Sequence, residues 1–210
     1  YPAIDPNGNF AAYISSNNIF IQNIKDGKRI CLFKSTKGSY IQSWSPDSSE
    51  LLIYTWDDEN SLAIISHLGG SIRKIPNSNT PQPPIAVWSP NGNEIAYTCL
   101  TWKKIVIIDK ATLAVKNTIK VDLNFNFLSG ICWSPIDENI IYFSVLEHDN
   151  KASIYQININ TLEIKLLYTT IYNSSIVGIF TCPLNCNWVW ILSNSSWNVI
   201  CFLSSFVHSL

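Results

Sequence analysis

Short apolar runs alternate with polar turns along the whole chain. Runs leading out of a turn lie at 10–14, 51–56, 95–100, 140–146 and 188–192. A second set follows a few residues later, at 19–24, 62–65, 105–108, 154–159 and 199–203. A third set, more polar and alternating, lies at 29–33, 72–75, 115–121 and 164–168, and a fourth at 40–44, 85–88, 130–133 and 176–182. The runs are rich in Ile, Val, Tyr, Phe and Trp, and they lack the 3.6-residue recurrence of an amphipathic helix. Both features predict short β-strands joined by tight turns.

The turns repeat with the strands. Trp44-Ser45-Pro46, Trp88-Ser89-Pro90 and Trp133-Ser134-Pro135 stand 44 and 45 residues apart. Weaker copies flank them: Ile4-Asp5-Pro6-Asn7-Gly8 lies 40 residues before the first, and Thr181-Cys182-Pro183 lies 48 after the last. Proline removes a ladder donor and stops the strand, and the Asn, Asp and Gly that follow accept turn conformations. Each repeat therefore holds four strands in ~44 residues, the innermost ending at Trp-Ser-Pro, which is the period of a β-propeller blade. The predicted fold is all-β: about 4.5 four-stranded antiparallel blades, with repeats at 1–43, 44–87, 88–132, 133–181 and an incomplete 182–210. Because each blade needs a neighbour on both faces, the chain is expected to form part of a larger propeller. A closed ring of four or five blades is the alternative.

Trp-Ser-Pro-Asp/Asn-Ser/Gly followed by an apolar strand, as at Trp44 to Ser48 and Trp88 to Gly92, resembles the WD40 superfamily and the related TolB-like (PD40) repeats. The resemblance covers nearly the whole chain. The third-strand Trp-Asp of WD40 repeats is absent, Ile108-Asp109 being nearest, and no Gly-His pair precedes an inner strand. The one Trp-Asp dipeptide, Trp56-Asp57, ends a second strand, which places the chain on the TolB-like side. Trp44, Pro46, Trp88, Pro90, Trp133 and Pro135 form the structural signature of the repeat.

Composition narrows the function classes. Fourteen basic and fifteen acidic side chains leave no surplus for phosphate neutralisation, so no nucleic-acid partner is expected. No run of 18 apolar residues exists, so no membrane span is expected. The sequence contains no Met, and Tyr1-Pro2-Ala3 opens no signal-peptide pattern. The lean is toward a cytoplasmic setting, with an internal fragment the simplest account of that beginning. All 29 charged residues lie within the first 165. The uncharged remainder reads as a final blade of aromatic strands or as a membrane-associated or partner-covered tail.

Catalytic templates are missing: there is no Gly-x-Ser-x-Gly elbow, no His-Glu-x-x-His and no phosphate-binding glycine loop. His67, His148 and His208 fall in different repeats, and His67 is expected at the surface beyond an outer strand. Of Cys31, Cys99, Cys132, Cys182, Cys186 and Cys201, only Cys182 and Cys186 are close, and no second ligand pair accompanies them. Buried thiols are expected, with no cofactor and no metal. Asn173-Ser174-Ser175 and Asn194-Ser195-Ser196 are glycosylation acceptors only in a secreted protein.

What remains is surface. The loops between second and third strands carry Asp57-Asp58-Glu59, Trp102-Lys103-Lys104 and Glu147-His148-Asp149-Asn150-Lys151, beside the long connection 76–84. An exposed aromatic among mixed charges has the composition of a protein interface. Asp57, Asp58, Glu59, Trp102, Lys103, Lys104 and His148 are thus a candidate partner-binding face with Trp102 as anchor, on a non-catalytic scaffold for a protein or peptide. The alternative reading is the access-filtering propeller domain of a larger hydrolase of the prolyl-oligopeptidase or dipeptidyl-peptidase type.

Overall fold

The computed structural model describes residues 2–57, 59–80, 83–99, 103–148, 151–171, 180–181, 188–193 and 196–201. Every regular element among them is a strand. The first sheet holds β1 (Ala3–Ile4), β2 (Phe10–Ser15), β3 (Asn18–Asn23) and β4 (Arg29–Phe33). The second holds β5 (Ser39–Trp44), β6 (Glu50–Thr55), β7 (Ser61–Ser66) and β8 (Arg73–Lys74). The third holds β9 (Ala86–Trp88), β10 (Glu94–Cys99), β11 (Lys104–Asp109) and β12 (Val115–Lys120). The fourth holds β13 (Phe127–Trp133), β14 (Ile140–Leu146), β15 (Lys151–Asn158) and β16 (Ile164–Ile171). A three-stranded sheet of β17 (Phe180–Thr181), β18 (Trp188–Ser193) and β19 (Ser196–Cys201) completes the series. In all five, strands pair in chain order, so each sheet is a simple meander.

The chain divides into two compact units, residues 1–96 with 107–116, and residues 97–106 with 117–210. In the first, one face of the first sheet (Ala12, Ile19, Ile21, Leu32) packs on one face of the second (Trp44, Leu51, Ile53, Ala63, Ile65). Five of the six positions in β6 and in β7 are buried, whereas the outer strand β16 is half-buried or exposed throughout. Strands covered on both faces are apolar without alternation, which is why the middle runs read as continuous.

The sheets and the sequence repeats differ in phase. Each Trp-Ser-Pro tryptophan is the last residue of the first strand of a sheet: Trp44 of β5, Trp88 of β9 and Trp133 of β13. All three are 6–7% exposed. The strand leading into the motif pairs with the strand after it through the turn between them, while the connection before it carries the chain to the next sheet.

The turn chemistry explains the motif. Ser45 N donates to Glu50 O (2.8 Å), and Ser45 Oγ accepts from Glu50 N (2.9 Å). Ser89 repeats both bonds with Glu94, each at 2.9 Å. In the first sheet Asp5 substitutes: its N donates to Phe10 O (3.0 Å) and its Oδ1 accepts from Phe10 N (2.5 Å). These side chains are 0–1% exposed, so their oxygens satisfy amides that would otherwise be buried without a partner. Three residues on, Gly8, Ser48 and Gly92 take φ of 71°, 63° and 72°. Glycine suits that conformation, and Ser48 adopts it at some cost. Ser134 closes a longer turn, with its N donating to Ile140 O (2.9 Å).

A second recurrent turn, invisible in the one-letter pattern, joins the third and fourth strands. Asn23, Asp109 and Asn158 each accept, through a carbonyl oxygen, the amide four residues on: Gly27, Leu113 and Leu162 at 2.8–2.9 Å. Their side-chain oxygens accept the intervening amides of Lys25, Thr112 and Asn160 at 2.8–2.9 Å. Gly27, Leu113 and Leu162 have φ of 72°, 59° and 62°. Ile24, Lys110 and Ile159 then donate their amides to Asn9, Asn93 and Asn139, tying this turn to the Trp-Ser-Pro turn.

Candidate functional site

In the first unit Asp57 follows β6 and is half-buried. Its carboxylate accepts from Thr36 Oγ1 (2.6 Å), Thr36 N (3.0 Å) and Lys37 N (2.8 Å). Partial burial pushes the Asp57 carboxyl up, but hydrogen bonds from Thr36, Ser35 and Lys37 outweigh it and hold the group at about 2. The side chain thus closes the segment that leads into β5. Glu59 is exposed, its Oε2 accepting at 3.5 Å from Asn79 Nδ2. The connection after β8 is fastened to the second sheet. Ser78 Oγ accepts from Leu62 N (3.0 Å) and donates to Ile75 O (2.7 Å), and Tyr54 donates its hydroxyl to Thr80 O.

In the second unit Lys103 has φ 49°, and its Nζ donates to Phe125 O (2.7 Å) while standing 4.4 Å from the Phe125 ring centroid. Lys103 therefore caps the chain before β13. Lys104 is half-buried at the start of β11, and His148 is exposed after β14. Asp58 and Trp102 lie outside the described residues.

His67 differs from the surface residue expected of it. It follows β7, an internal strand of its sheet, and packs on Phe10 with ring centroids 5.3 Å apart. Its Nδ1 is 2.9 Å from Ser49 O. That ring belongs to the packing between the first two sheets. Cys132 is buried, and burial pushes its thiol up to about 12, while Cys31 is exposed. Among the described residues no group of three His, Cys, Asp or Glu side chains could hold a metal ion. No helix among them is long and apolar enough to cross a membrane.

Sequence reasoning missed the junctions between blades. Arg73 Nη2 donates to Glu50 Oε1 (2.9 Å), and Lys110 Nζ is 2.9 Å from Glu50 Oε2. Arg73 Nη1 reaches on to Lys110 O (2.9 Å). Asn117 Nδ2 repeats that carbonyl contact at Ile159 O (3.0 Å). The available signal was a polar side chain on each outer strand, too common to single out.

No family model and no curated protein matches the sequence. Solved structures do. A protein described as TolB from Agrobacterium tumefaciens superposes with a TM-score of 0.70 at 14% identity, over 99% of this chain and 78% of that one. The chain has the TolB-like β-propeller fold. TolB from Acinetobacter baumannii gives 0.68 at 16% identity, over 95% of this chain and 51% of that one. Kuenenia stuttgartiensis hydrazine synthase gives 0.67 at 14%, over 97% and 62%. A TolB-like propeller thus recurs beside very different names, so the fold alone assigns no activity.

Proposed function

We propose that this TolB-like propeller is a non-catalytic scaffold that presents the loops between its second and third strands to a protein or peptide partner. One observation carries the reading. Those loops are braced by side chains bonded to backbone, Asp57 on Thr36 and Lys37, and Lys103 on Phe125. Bracing lowers the entropy lost when a loop docks, so such loops make better recognition elements than mobile ones. Glu59 and His148, both exposed, supply polar contacts beside the braces, and Asp58, Trp102 and Lys104 complete the proposed set.

The test compares Trp102→Ala with the parent chain in thermal melting and in cross-linked capture of a cellular partner. An anchor tryptophan leaves melting unchanged and weakens capture by ~2 kcal/mol or more. A variant that melts earlier and captures equally well assigns Trp102 to packing and ends this reading of the face.

A further inference from the structure

We infer that Trp88 and Ser43 form a buried binding site for one ordered water molecule at the junction of the second and third sheets. Both groups are interior, so the site stands apart from the proposed partner face.

The three motif tryptophans treat the same indole N–H in different ways. Trp44 Nε1 donates to Ala3 O (2.9 Å) in the preceding sheet. Trp133 Nε1 donates to Glu138 O (2.7 Å) within its own, longer turn. Trp88 is 7% exposed, and its Nε1 is buried with no hydrogen-bond partner among the described residues. An indole N–H can only donate, and buried donors are almost always satisfied.

Equivalence between the sheets locates what that N–H faces. Asp5 N donates to Phe10 O as Ser45 N donates to Glu50 O, so the two turns align. Ala3 and Ser43 then correspond, opposing Ala12 and Leu52. Ala3 packs against the cluster that contains Trp44 and Ala12. β9 touches β5 as β5 touches β1, so Trp88 lies on Ser43 as Trp44 lies on Ala3. Where Ala3 has a methyl group Ser43 has a hydroxyl, and Ser43 Oγ is also buried without a partner among the described residues.

Two unpaired polar atoms therefore face each other without bonding. β5 supplies the reason. Its ladder with β6 shifts between Ile41 and Ser43, which leaves Gln42 as an extra residue. A bulge bends the strand that carries it, and the bond that Ala3 O accepts from Trp44 has no counterpart at Ser43. The occupant must be small, must accept from the indole, and must bond the serine hydroxyl in either direction. Lys110 Nζ stands 5.8 Å from the Trp88 ring centroid but is committed to Glu50 Oε2 at 2.9 Å, so that ammonium is not available to hold an anion. Water meets these terms, and buried waters characteristically satisfy such groups.

Thermal melting of the full chain reads the site in solution. Removing a hydroxyl that bonds a water is destabilising, whereas removing an unsatisfied buried hydroxyl is not. Ser43→Ala is therefore expected to lower the melting temperature by about 2–4 °C. In a Trp88→Phe background the same substitution lowers it by less, because the water has already lost its donor. A Ser43→Ala protein that melts at or above the parent overturns the proposal, as does an equal loss in both backgrounds. A crystal structure of the full chain grown with bromide in place of chloride identifies the occupant. One water oxygen about 3 Å from both Trp88 Nε1 and Ser43 Oγ is the expected result. Anomalous bromide signal at that position, a direct Trp88–Ser43 bond, or no density between them overturns it.

Discussion

Arg73 donates one nitrogen to Glu50 within its own sheet and the other to the backbone carbonyl of Lys110 in the following one, both at 2.9 Å. A lysine can satisfy Glu50 but not both acceptors at once, because the planar guanidinium holds its donors in a fixed fork. The Arg73 side chain is 37% exposed, so solvent screens part of the pairing. Arg73→Ala is expected to lower unfolding free energy by about 1–2 kcal/mol in urea titration, with Arg73→Lys intermediate. Asn117→Ala removes the corresponding neutral bond to Ile159 and should cost less. Equal, negligible losses for Arg73→Ala and Asn117→Ala would show that these contacts do not join the sheets.

Leu113 and Leu162 occupy the position at which the equivalent turn in the first sheet has Gly27. A left-handed conformation costs a side chain roughly 1–2 kcal/mol, while glycine pays in unfolded-state entropy. Leu162 is 51% exposed, so little packing is lost on its removal. Leu162→Gly is therefore expected to raise the melting temperature slightly, and Gly27→Leu to lower it by the equivalent of ~1 kcal/mol. A Leu162→Gly protein that melts well below the parent would mean the leucine is held by packing rather than tolerated.

That turn also shows where the sequence stopped being readable. The strands were legible because β-branched and aromatic runs bounded by Pro, Asn and Gly have few other solutions. Trp44, Trp88 and Trp133 were legible as equivalents because letters and spacing both repeat. Asn23, Asp109 and Asn158 share a backbone geometry with different letters around it, so no string search joins them. In the sequence Asp57 stands in a run of three acids, Asp57-Asp58-Glu59, which has the look of a presented surface turn. Its actual partners, Thr36 and Lys37, lie 21 and 20 residues earlier, and only the folded chain brings them to it.

Thiol chemistry separates two cysteines. Nucleophilic attack needs the thiolate, and the Cys132 thiol, pushed up to about 12 by burial, supplies almost none at neutral pH. Cys31 lies on the exposed side of β4. Native-state alkylation followed by peptide mass mapping should label Cys31 within minutes and Cys132 only after denaturant is added. Labelling of both at equal rates would place Cys132 outside the packed first strand of its sheet.

Asp57 offers the sharpest separation between bracing a loop and meeting a partner. Its folded-state pKa of about 2 lies below the unfolded value of 3.8, so the brace stabilises the fold fully above pH ~4. As pH falls through that window toward 2 the contribution disappears, because the protonated carboxyl no longer serves all its donors as an anion. Asp47, held at about 2 despite burial by Ser45 and Ser49, has the same sign and window. Asp57→Asn should therefore lower the melting temperature at pH 7 and show a smaller acid-induced drop between pH 4 and 2 than the parent. Glu59→Gln should leave melting at pH 7 unchanged, since its one contact is a 3.5 Å bond at the surface. If both variants weaken partner capture, only the Glu59 result reports on the interface, because the Asp57 variant also loosens the segment 36–37. If Asp57→Asn melts like the parent at pH 7, the brace contributes nothing, and the carboxylate is left as a surface charge whose work lies in the contact itself.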